Sequence, residues 1–239
     1  MDIILVPGFW LDASSWAAVT PALTESGHRV HPLTLPGLES VNARRAGVGL
    51  RDHVAAVVAA IDTLDGPVVL VGHSGGGAIV HGAVDERPDR VIRAIYVDST
   101  PLAAGVAIND ELPGGDDDIP LPDWGVFDDA DLIDMTDDIR ARFRAMAVPE
   151  PRGVAVEIQE LHDERRYDVP VTMICCEFRS IDVPAWIEAG YPQASELGRI
   201  REVDYVDLPT GHWPQFTRPV DLGAVILAAV DGAESPSVR

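Results

Sequence analysis

The chain has 239 residues, a formal net charge of −21 and an apolar fraction of 46%. That is enough apolar material for one sizeable core, and too much negative charge to suit nucleic acid or an anionic membrane surface. All 18 basic residues are arginine, which excludes a Walker-type phosphate loop, a Schiff-base lysine and a Ser-Lys dyad.

In chain order, residues 2–6 form a short apolar run closed by Pro7-Gly8, as a buried strand would be. A helix is expected over 13–26, ending at Gly27, and a second strand over Val30 to Leu35, stopped by Pro36-Gly37. Residues 51–64 carry Val54, Val57, Val58 and Ile61 at helical spacing. Val68 to Val71 reads as the third strand, 75–86 as the next helix and Val91 to Val97 as the fourth strand. Residues 101–168 break this alternation. They open rich in Pro, Gly and Asp, with helical stretches near 129–147 and 151–162, and read as an inserted cap. Val169 to Cys176 resumes the strands. A helix within 183–200, a strand over Val203 to Leu208 and a helix over 219–230 follow, with a loose tail from Asp231 to Arg239.

Strands alternating with helices predict an α/β fold: a mostly parallel sheet of about six strands with helices on both faces. The core would be 1–100 with 169–239, and the cap 101–168. Ligands of such sheets sit beyond the carboxyl ends of the strands. Gly8-Phe9, Ser74, Asp98, Glu177 and His212 all fall there, on five different strands.

The densest signal is Gly72-His73-Ser74-Gly75-Gly76, a G-x-S-x-G turn between a strand and a helix. Ser74 needs a base to become a nucleophile. Of the seven histidines, His212 is best placed, in Pro209-Thr210-Gly211-His212-Trp213 between the last strand and the last helix. His73 lies beside the serine and would point elsewhere. A carboxylate should orient the imidazole. Asp98 is favoured because it stands directly at a strand end, with Glu177 and Asp182 as alternatives; all three satisfy the order Ser, acid, His. Oxyanion donors are expected at the N–H groups of Gly75 and Phe9, and an apolar pocket at Trp10, Trp124, Phe127 and Trp213. Metal and calcium motifs are missing, and Val80 breaks a dinucleotide fingerprint that Gly75 and Gly77 begin. No metal or cofactor is therefore expected. The only cysteines, Cys175 and Cys176, do not resemble a disulfide framework, and the amino terminus enters a strand at once without a basic leader. A cytoplasmic enzyme with a small-molecule substrate is the expectation; the oligomeric state is not legible.

From Val6-Pro7-Gly8-Phe9-Trp10 through Gly72-His73-Ser74-Gly75-Gly76 to Gly211-His212, the chain resembles the α/β-hydrolase fold superfamily. Within it, the chain is similar to small cofactor-free esterases of the salicylate-esterase and hydroxynitrile-lyase type. The resemblance implies Ser74 as nucleophile, His212 as base and an acyl-enzyme. Most members carry the acid in a Gly-x-x-Asp stretch after the strand equivalent to 169–176, where this chain has Cys176-Glu177-Phe178-Arg179. Some relatives place it one strand earlier, which matches Asp98. Plant hydroxynitrile lyases use a lysine near the histidine, which this chain lacks. The reading is a serine hydrolase for a small, neutral, fairly apolar ester, lactone or thioester. The alternatives are another reaction of the fold (C–C bond hydrolysis, perhydrolysis or the lyase reaction) or a non-catalytic ligand-binding protein.

Overall fold

The computed structural model describes residues 1–234. Its strands are β1 (Asp2–Val6), β2 (Arg29–Pro32), β3 (Val68–His73), β4 (Val91–Val97), β5 (Asp118–Ile119), β6 (Glu150–Pro151), β7 (Val171–Cys175) and β8 (Val203–Asp207). The helices are α1 (Thr20–Glu25), α2 (Leu50–Asp62), α3 (Gly75–Glu86), α4 (Asp137–Met146), α5 (Arg152–Val156), α6 (Val183–Glu188), α7 (Pro214–Thr217) and α8 (Pro219–Glu234). Six strands form one all-parallel sheet in the order β2-β1-β3-β4-β7-β8.

Strands β1, β3 and β7 are buried along their whole length, as expected of a parallel sheet covered on both faces. Alternate side chains divide between two cores. Ile4, Val6, Val68, Leu70, Tyr96 and Met173 face α2, α3 and the 101–168 segment. Ile3, Leu5, Val69, Val71, Ile95 and Ile174 face Trp16, Leu23 and Leu222, Ile226 and Val230 of α8.

The expected elements recur with shifted ends. The helix expected over 13–26 is a single 3-10 turn (Ala13–Trp16) followed by α1, because Pro21 can only sit in a first helical turn. The helix expected within 183–200 is α6 followed by two 3-10 turns, with Pro192 interrupting it. In 101–168 the helices are shorter than expected, α4 and α5. The two-residue strands β5 and β6 pair antiparallel, which the sequence did not signal. Helix α8 runs on through Glu234, so residues 231–234 are helical rather than loose. The remainder of the expected tail, 235–239, lies outside the described residues. Among the described residues no helix is long and apolar enough to cross a membrane.

A buried ionic cluster fastens the chain's return from 101–168 to α3, β4 and the segment after α6. Arg166 donates to Glu196 (2.9 Å) and Asp85 (3.1 Å), and His81 on α3 bridges Glu196 and the Tyr96 hydroxyl, each at 3.0 Å. The cluster ties α3 and β4, which carry Ser74 and Asp98 at their site-facing ends, to the same anchor.

Strand β1 and helix α3 meet with no space for a side chain. A Cβ on Gly76 would lie 2.4 Å from the Pro7 carbonyl oxygen and 2.8 Å from that of Val6, and both are backbone atoms that cannot swing away. Alanine gains about 1 kcal/mol of helix propensity over glycine, but overpacking against fixed backbone costs about 1–3 kcal/mol. We therefore expect Gly76→Ala to lower the urea midpoint. Gly232→Ala on α8, where nothing lies within 4 Å of the new Cβ, should raise it or leave it unchanged. A Gly76→Ala protein as stable as the parent would contradict this packing account.

Candidate active site

The turn from β3 into α3 is built around residue 74. Ser74 has φ 52° and ψ −127°, a strained conformation for a residue with a Cβ. It is held there from several sides. The Ser74 N–H donates to the Val97 carbonyl (3.1 Å), and its carbonyl accepts from the Gly77 N–H (2.9 Å) and the Ser99 hydroxyl (2.7 Å). Gly72 allows the turn to close, since a Cβ there would stand 2.5 Å from the Gly76 carbonyl oxygen. The serine side chain is lifted off the sheet edge at the N-terminus of a twelve-residue helix.

His212 reaches Ser74 from the loop after β8. Its Nε2 lies 2.7 Å from Ser74 Oγ, and its Nδ1 lies 2.7 Å from Asp98 Oδ2. Asp98 is the residue directly after β4, with φ 45° and a fully buried side chain. Its Oδ1 accepts the N–H groups of Cys176 (2.9 Å) and Glu177 (3.1 Å), so the carboxylate is oriented by β7's end as well as by its own strand. The structure thus brings three expected residues into one hydrogen-bonded line. The His212 loop is fixed from the 101–168 side: the His212 N–H donates to the Asp131 carbonyl (2.8 Å) and the Gly211 N–H to that of Ile133 (3.1 Å). From below, His73 Nε2 donates to the His212 carbonyl at 2.6 Å. Burial pulls the His73 imidazole down to about 3, so it supports this loop as a neutral group.

Two more carboxylates surround the imidazole. Glu177 Oε2 lies 3.3 Å from His212 Nδ1, is buried and makes no hydrogen bond. The Nδ1–H points at the nearer Asp98, and Glu177 acts on the ring through its charge. Asp131 faces Glu177, and burial followed by that neighbouring carboxylate raises its own carboxyl to about 6. Burial disfavours the charged form of His212, but Asp98 and Glu177 outweigh it and hold the ring well above the ordinary imidazole range. Asp98, Glu177 and His212 present one oxygen, one oxygen and one nitrogen within 4.8 Å, which could take a cation. However, the nitrogen in that set carries the proton shared with Asp98, and this suits proton transfer better than ligation.

A cavity of about 690 Å³ opens over Ser74 and His212. Phe9, Gly75, Trp10, Phe127 and Trp213 line it. Trp124 does not. It stands behind the wall, edge-on to Trp213 (5.9 Å) and Phe143 (5.6 Å), with the Arg144 guanidinium 5.3 Å over its face. The alternative acid Asp182 is also misplaced. It sits in an exposed turn before α6 and pairs with Arg179 at 3.1 Å, so it takes no part in the His212 cluster.

A family model described as the alpha/beta hydrolase family matches residues 3–225. The chain belongs to that family. The pyrethroid hydrolase of Sphingobium wenxiniae is 28% identical over 256 residues, covering 99% of this chain and 89% of its own. The rice (Oryza sativa subsp. japonica) esterase PIR7B is 38% identical over 102 residues, covering 39% of this chain and 37% of its own. Among solved structures, an extracellular alpha/beta-hydrolase from a Paenibacillus species is described as sharing structural and functional homology with tobacco salicylic acid binding protein 2. It superposes with a TM-score of 0.75 at 21% identity, covering 96% of this chain and 98% of its own. With relatives of this kind the chain is an enzyme of the carboxylic ester hydrolase class.

The part of this hydrolase's site that sequence reasoning missed is Asp131. It lies in Asp128-Asp129-Ala130-Asp131, an acidic run that reads like any solvated face. Only the packing of that loop on Glu177 and His212 singles it out. We expect Glu177→Gln to lower the His212 pKa by about 1–3 units, the usual effect of removing one opposite charge at this range. Histidine NMR titration reads the shift directly. An unchanged His212 titration would mean that the Glu177 charge does not reach the ring.

Proposed function

We propose that this hydrolase cleaves small, uncharged, largely apolar esters through an acyl-enzyme on Ser74. The observation that carries the reading is the unbroken line from Ser74 Oγ through His212 to Asp98, with both links at 2.7 Å. In the first half-reaction His212 in its neutral form takes the Ser74 proton at Nε2 as Oγ attacks the ester carbonyl carbon. That form gains population as pH rises, because Asp98 and Glu177 favour the charged ring. The oxyanion is received by the N–H groups of Phe9 and Gly75, each worth about 3–4 kcal/mol in the transition state. The bond to the alcohol oxygen then breaks, and His212 returns the proton to that oxygen. In the second half-reaction water loses its proton to His212, attacks the acyl carbon, and the acid is released with Ser74 restored. Asp98 holds the Nδ1–H and stabilises the imidazolium formed in each half.

The preference for uncharged substrates rests on the cavity. Its apolar wall is aromatic and aliphatic, its acidic side chains include Glu111, Asp128, Asp131 and Glu177, and among the described residues no arginine lines it. A substrate carboxylate would meet like charge, and the His212 imidazole that lines the cavity is already paired with Asp98 and Glu177. The volume suits an acyl and an alcohol portion of drug-like size, and the full-length relative named as a pyrethroid hydrolase fits a substrate of that bulk. In this reading 101–168 is a cap that shapes the alcohol and acyl subsites. A reducing, cytoplasmic setting agrees with the two buried free thiols, Cys175 and Cys176.

A fluorophosphonate probe should label the wild type and not Ser74→Ala, and Ser74→Ala should lose about 10⁴-fold or more of kcat on p-nitrophenyl esters. Absence of labelling in the wild type would sink the serine mechanism. Asp98→Asn should cost about 10²–10⁴-fold in kcat, and Glu177→Gln less than about tenfold. Near-wild-type turnover in Asp98→Asn would transfer the orienting role away from Asp98.

A further inference from the structure

One buried acid has no part in the relay described above. Glu150, in β6, is 1% exposed, yet among the described residues no ion pair neutralises it. Arg45, whose charge acts on Glu150, spends its guanidinium elsewhere: Nε on the Pro149 carbonyl (2.7 Å), the terminal nitrogens on the carbonyls of Ser40 (2.6 Å), Ala43 (3.0 Å) and Val41 (3.2 Å), with the Asp118 carboxylate at 4.0 Å. The contact that Glu150 makes is different in kind. Its Oε2 accepts the backbone N–H of Trp10 at 3.1 Å, across 140 residues of chain.

Trp10 follows Phe9 in the loop after β1 and has φ 64°, a left-handed conformation that a bulky residue adopts only when held. All of its polar atoms are held by the segment between β4 and β7. The carbonyl accepts the Val148 N–H at 2.9 Å, the indole Nε1–H donates to the Ile119 carbonyl at 3.0 Å, and Glu150 takes the N–H. Ile119 and Glu150 are register partners in the β5–β6 ribbon. The loop also fits tightly on the nucleophile turn, since a Cβ on Gly75 would stand 2.6 Å from the Phe9 ring. Fixing the Trp10 N–H fixes the Phe9–Trp10 peptide plane, which shares Phe9 Cα with the Gly8–Phe9 plane that carries the Phe9 N–H, so the restraint reaches that donor through one residue.

We propose that Glu150 is a positioning residue for the oxyanion site: by accepting the Trp10 N–H it locks the loop that presents the Phe9 N–H to the reacting carbonyl. The β5–β6 ribbon is on this account a working part of the catalytic apparatus as well as a wall of the pocket. The inference rests on the Ser74 acyl-enzyme reading, with Phe9 as a donor. Burial raises the Glu150 carboxyl to about 8, so at neutral pH a glutamine reproduces its neutral, oxygen-accepting form.

Three variants test it on a p-nitrophenyl ester, alongside a trifluoromethyl ketone that forms a hemiketal oxyanion with Ser74. Glu150→Gln keeps an acceptor and should stay within about threefold of wild-type kcat. Glu150→Met keeps the length without an acceptor. It should lose about 10–100-fold in kcat with KM within about threefold, and ketone affinity should fall in step, because an oxyanion donor acts on the transition state and not on substrate binding. If Glu150→Met does not fold, Glu150→Asp, which withdraws the acceptor by one methylene, should show the same split at smaller size. Wild-type kcat and ketone affinity in a folded Glu150→Met or Glu150→Asp would overturn the inference, as would a loss confined to KM. Ser74→Ala separates the two levels. If it retains turnover, the serine reading falls and this one with it. If it is dead while the Glu150 variants are unaffected, the Glu150 inference alone fails.

Discussion

The site depends on the close approach of the end of β1 to the start of α3. Gly76 packs against the carbonyls of Val6 and Pro7, and Gly72 against the carbonyl of Gly76, with no room for a Cβ at either. This contact makes the turn after β3 sharp enough to put Ser74 into a positive φ and lift its hydroxyl clear of the sheet. It also places the loop after β1, which carries Phe9 and Trp10, directly against the turn at Ser74. Strain at Ser74 persists because the bonds from Val97, Gly77 and Ser99 over-determine its backbone.

Around that fixed point the sheet supplies reach. Parallel neighbours in register put the ends of β3, β4, β7 and β8 along one edge, so Ser74, Asp98, Glu177 and His212 arrive from separate strands within hydrogen-bonding or ionic distance. The electrostatics are weighted toward the charged imidazole, with two carboxylates near Nδ1 and a third behind them. Such a site favours the protonated imidazole, and it makes the proton inventory of His212 sensitive to these acids. His73 is neutral and donates to the His212 carbonyl, which holds the loop without adding another charge.

The 101–168 segment takes part in this geometry. It supplies the carbonyls of Asp131 and Ile133 that fix the histidine loop, and Ile119, Val148 and Glu150, which fix Trp10. Substrate contacts and catalytic geometry therefore share the same polypeptide. A change in one can reach the other through backbone hydrogen bonds.

By itself the sequence determined the α/β class, a mostly parallel sheet of about six strands, the serine turn, and the placement of His212 and three candidate acids after later strands. These follow from local rules: apolar runs bounded by Pro-Gly stops, glycines where backbone must touch backbone, and polar residues at strand ends. The choice of Asp98 over Glu177 and Asp182 was legible only as a preference. Three acids share the required order in the chain, and the 2.7 Å contact against 3.3 Å is a property of how β4 and β7 pair. Trp124 behind the pocket wall and Asp131 beside the imidazole, like Glu150 beneath Trp10, were decided only by the tertiary structure. Each depends on contacts across long chain separations within an irregular segment, where no periodicity reports which side chain turns inward.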